Sequence, residues 1–80
     1  MPAERTSDTE RFSRDRLADR LEALAAALRD EETRVAVGNK SVRLHPPEEV
    51  NYRIDVIERS KRFRGDRETI EIEMDWTPEA

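Results

Sequence analysis

One histidine, no cysteine and no glycine-rich loop set the limits of the chemistry this chain can carry. Without cysteine there is no thiolate nucleophile, no disulfide and no Cys-ligated zinc or iron–sulfur site, and the redox compartment stays undetermined. His45 stands beside Pro46 on the polar side of an alternating segment, where a single imidazole is more simply a corner residue than a ligand or a base. Ser41 and Ser60 have no nucleophile signature around them. Carboxylates gather at Asp30, Glu31 and Glu32 and again at Glu48 and Glu49. Hard cations bind such oxygens, but no EF-hand spacing is present, and solvated loop charge accounts for both groups. The expectation is a noncatalytic protein with no catalytic residue, no cofactor and no specific metal.

The sharpest local feature is the run from Arg59 to Arg67, RSKRFRGDR, with five basic residues around one aromatic. Cationic side chains contact phosphates and an aromatic ring stacks on an unpaired base, so Arg59, Lys61, Arg62, Phe63, Arg64 and Arg67 have the ingredients of a nucleic-acid contact. The plainer alternative is a hairpin loop kept soluble by charge, pairing with acidic strand residues such as Glu71 and Glu73.

These residues need elements to hold them. Residues 1–11 mix charge and small polar residues without periodicity and read as a flexible N-terminal arm. Leu17, Leu21, Leu24 and Leu28 then recur at helical spacing, widened by Ala18 and Ala25, after a Ser13 that suits an N-cap and with Phe12 and Leu17 at the positions of a hydrophobic staple. From Arg34 the period becomes two. Val35 and Val37, a Gly38-Asn39 turn, and Val42 and Leu44 make a hairpin, which Pro46 and Pro47 end. A longer strand follows with Val50, Tyr52, Ile54 and Val56 on one side and Asn51, Arg53, Asp55 and Ile57 on the other. In the last strand Ile70, Ile72, Met74 and Trp76 oppose Thr69, Glu71, Glu73 and Asp75.

One apolar helix stripe and one apolar sheet face are most cheaply buried against each other. The expected fold is α+β: one N-terminal helix packed on a four-stranded antiparallel sheet, a two-layer α-β-β-β-β meander spanning residues 12–76, with 77–80 a C-terminal tail. Trp76 is expected inward over the leucine stripe. The second sheet face then lies open, basic in one half and acidic in the other, with Ile57 as its one exposed apolar residue. Arg43, Arg53, Ile57, Glu71 and Glu73 are the expected interface, which suits a protein partner or a weak homodimer.

Composition agrees with one small domain. The 80 residues are 42% charged and 35% hydrophobic, with net charge −4, and no run approaches the roughly 18 to 20 apolar residues of a membrane span. Thirteen of the 15 basic residues are Arg, a skew that a GC-rich genome or a high-salt cytoplasm produces. The first residues lack the basic head and apolar stretch of a secretory signal, so a cytoplasmic protein is expected, with no membrane partner.

The terminal strand RETIEIEMDW, alternating apolar and acidic residues up to a tryptophan, resembles the amphi-Trp domain, a small family found largely in haloarchaea. The resemblance extends through the Phe12-Ser13 helix start, the Arg-, Ala- and Leu-rich helix, the hairpin around Gly38 and the Leu44-His45-Pro46-Pro47-Glu48 corner, covering about residues 10–76. It implies the fold and a haloarchaeal source, and it implies no activity, because the family has no established function. The basic loop at 59–67 departs from the pattern, since members are commonly acidic or short there.

Overall fold

The computed structural model describes residues 3–60 and 65–79. One helix, α1 (Arg14–Arg29), precedes four strands, β1 (Thr33–Val37), β2 (Lys40–Leu44), β3 (Asn51–Arg59) and β4 (Arg67–Asp75). All strand pairing is antiparallel, and the class is α+β. The expected single four-stranded sheet is corrected: among the described residues β1 pairs with β2 and β3 with β4, giving two two-stranded sheets. Pro46 and Pro47 end the first ladder. Neither has an N–H to donate to a ladder, and no strand structure intervenes between Leu44 and Asn51. The chain divides into two compact units, one running to Pro46 and taking in Pro78 and Glu79, the other Pro47–Thr77.

In the first unit the helix begins where its sequence specifies. Ser13 is extended (φ −65°, ψ 157°), and its Oγ accepts the Arg16 N–H at 3.2 Å. This satisfies one of the amides that an α-helix leaves unpaired at its start. Asp15 in the first turn and Arg29 in the last both suit the helix dipole. The Phe12 ring lies 5.3 Å and 5.4 Å from the guanidinium carbons of Arg16 and Arg20, a cation–π arrangement that fixes the entry of the chain.

α1 lies against β1, with Leu21, Leu24, Ala27 and Val35 around the groove between them. The two-residue turn Gly38-Asn39 closes the first hairpin at the Val37–Lys40 pair. Gly38 has φ +62°, and no other residue type takes a positive φ among the described residues, the sign pattern of a type II′ turn. The amino-terminal segment follows this hairpin. Glu4 and Thr6 border the same depression as Val35, Val37, Val42 and Leu44, and the Asp8 carboxylate sits beside Gly38. The Glu79 N–H donates to the His45 carbonyl at 2.9 Å.

The second unit is a nine-pair hairpin running from Asn51–Asp75 to Arg59–Arg67. The expected burial of its apolar residues is not met. Among the described residues the only buried residue is Thr33, and no apolar side chain is buried. Leu17 and Leu21 of the helix stripe are each 49% exposed. Trp76, expected inward, is half-buried.

Candidate interaction surface

The side chains of the β3–β4 hairpin separate by parity into two unlike faces. On one, Asn51 Nδ2 donates to Asp75 Oδ1 at 2.8 Å. Arg53 bridges two carboxylates on this face, Asp55 at 3.3 Å along its own strand and Glu73 at 3.2 Å across the ladder. All these ionic groups are well exposed, so each pair contributes at most about 1 kcal/mol. Glu71 stands opposite Asp55, a like-charge pair.

Three of the five expected interface residues besides Arg43, namely Arg53, Glu71 and Glu73, therefore do share one face with Ile57. Arg43 belongs to the first hairpin, where its Nη2 meets Glu32 Oε1 at 2.7 Å, and the same oxygen takes Arg34 Nη2 at 3.3 Å. Arg43 and the four β3–β4 residues thus belong to different sheets. Ile57 is half-buried opposite Thr69 rather than exposed, as a branched side chain packed beside its facing neighbour is.

The other face of the hairpin is the open apolar one. Tyr52 is 62% exposed, Val56 66% and Ile70 68%, while Ile54 and Ile72 are about half open. Met74, across from Tyr52, and Trp76 are half-buried. Three successive cross-strand pairs, Tyr52–Met74, Ile54–Ile72 and Val56–Ile70, carry no charge; the next, Glu58–Glu68, carries two carboxylates. Sequence reasoning assigned these residues to the core and so missed them as a surface. The available signal was quantity: four helix leucines are few against the apolar positions of four strands.

Of the nucleic-acid candidates, Arg59 and Arg67 face each other in the last pair of the ladder, and Lys61, Arg62, Phe63 and Arg64 lie outside the described residues. Ser41 and His45 are exposed. Among the described residues no helix is long and apolar enough to cross a membrane.

A short helix with two antiparallel hairpins, the second an amphipathic strand pair that runs up to a tryptophan, defines a small α+β protein. The chain belongs to the Amphi-Trp domain family, whose model matches residues 1–80. Neither the comparison with curated proteins nor that with solved structures finds a match.

Proposed function

We propose that this chain is a small noncatalytic interaction module that binds protein, or a second copy of itself, through the β3–β4 hairpin, by its open face or its edges. One observation carries the reading: the hairpin leaves a contiguous set of apolar side chains from Tyr52 to Ile72 in water, and exposed patches of this kind mark binding surfaces in soluble proteins. Each two-stranded sheet also has unpaired edges that offer backbone donors and acceptors to another chain. The cytoplasm of a salt-adapted archaeon is the proposed setting, supported by the Arg-rich, Cys-free, acidic composition.

Affinity capture from the native host at its own salt concentration tests this. A protein retained by the natural sequence and lost with Ile70→Lys supports the module; identical eluates from both count against it.

A second reading, a nucleic-acid-associated accessory protein using residues 59–67, draws on the Arg59–Arg67 pair. Like charges directly opposite in a ladder repel, and a bound phosphate relieves that repulsion. Charge reversal of Arg62 and Arg64 should then abolish an interaction that already falls steeply with added salt. No measurable binding to single-stranded nucleic acid at low salt rejects this reading.

A further inference from the structure

We infer that the apolar face of the β3–β4 hairpin packs against the same face of a second copy, about a two-fold axis through the Ile54–Ile72 pair, with the two hairpin tips pointing in opposite directions. The inference rests on the reading of this hairpin as an interaction surface and names its occupant.

Stability supplies the first reason. An isolated two-stranded hairpin is marginal in water, and a further layer over its apolar face is what makes such a unit persist. Area supplies the second. Tyr52, Ile54, Val56, Ile70 and Ile72, each about half to two-thirds open, together with Met74 and Trp76, present on the order of 500 Å² of apolar surface per chain. Two such faces pressed together remove on the order of 1,000 Å², the lower bound for a specific interface. The dimer is accordingly weak, with a dissociation constant on the order of micromolar.

The order of side chains along the face gives the third reason and the orientation. The pairs run Tyr52–Met74, Ile54–Ile72, Val56–Ile70 and Glu58–Glu68, and Val50 and Trp76 are the residues that adjoin the ladder's Asn51–Asp75 end. A two-fold axis at the central pair brings Tyr52–Met74 onto the partner copy's Val56–Ile70, large on small. It brings the Val50–Trp76 end onto the Glu58–Glu68 end. The indole N–H, a donor with no acceptor function, then meets carboxylate oxygens at both ends of the interface. The opposite orientation, tips together, gathers four carboxylates at one end, which like-charge repulsion disfavours. The face is therefore complementary to itself in one direction only.

The experiment is light scattering of the full chain over about three decades of concentration at high KCl, with three variants. Wild type should pass from monomer to dimer. Val56→Lys and Ile70→Lys, each placing an ammonium on the face, should raise the dissociation constant at least about 100-fold, while Ile57→Lys on the opposite face should change it less than threefold. Circular dichroism checks that the variants keep their strands.

Because the chain has no cysteine, orientation is read by mixing Glu58→Cys and Val50→Cys chains with a short bismaleimide. Cross-links between position 58 of one chain and position 50 of the other are expected. Links predominantly from 58 to 58 overturn the orientation. A dimer indifferent to both face variants overturns the face and moves the contact to a strand edge. A strict monomer that captures another protein, lost with Ile70→Lys, overturns the second copy and keeps the interaction module; a strict monomer whose captured proteins ignore Ile70→Lys overturns both.

Discussion

Gly38 is the residue whose identity the backbone most plainly requires. At φ +62° an L side chain is strained, and a Cβ there would come within 3.1 Å of an Asp8 carboxylate oxygen. Gly38→Ala should therefore cost about 1–2 kcal/mol, seen as a lower thermal midpoint, and a midpoint unchanged within a degree would refute the turn assignment. Ser13→Ala removes the one side-chain cap of α1 and should cost about 1 kcal/mol with loss of helical ellipticity; Ser13→Asp should restore most of it. Both residues were legible in the sequence because a turn and a cap are each specified within four positions. Glu32 was not. It read as loop charge, yet it accepts from both Arg34 and Arg43, which face each other across the first hairpin. Only the strand register shows that a carboxylate there neutralises a facing pair of cations.

At the scale of elements, helix and strands fall where periodicity places them, since alternation and the leucine spacing are local signals. Pairing between hairpins is not local. A meander from β2 to β3 was the economical expectation, but the ladder ends at the two prolines, and the second hairpin keeps two edges. Its own ladder holds three like-charge facing pairs, Asp55–Glu71, Glu58–Glu68 and Arg59–Arg67, against one opposite-charge pair, Arg53–Glu73. Facing like charges destabilise a ladder. Raising KCl from about 0.1 M to about 1 M shortens the screening length from about 10 Å to about 3 Å, so the three facing repulsions should be relieved more than the Arg53 attractions are lost. Amide hydrogen exchange in β3 and β4 should slow with salt, and less so in Glu71→Gln. Faster exchange at 1 M would show that the Arg53 ion pairs outweigh the repulsions.

For the whole molecule the governing fact is that folding leaves every apolar side chain of the described residues at least partly in water. Composition gave little warning, since 35% hydrophobic residues would furnish a thin core if one helix and one sheet shared it. The β3–β4 hairpin leaves much of its apolar side-chain surface exposed, and an association that covers it contributes to stability by mass action. Trp76 reports it. Half-buried in the single chain, the indole lies at the end of the face that the second copy covers. Its emission should move to shorter wavelength as concentration rises through the dimer range, and the thermal midpoint should rise over the same range. Val56→Lys, several positions away from the ring, should hold both readouts at their dilute values. If midpoint and emission are flat from dilute to concentrated wild type, the chain's stability owes nothing to a second copy, and the apolar face needs another occupant.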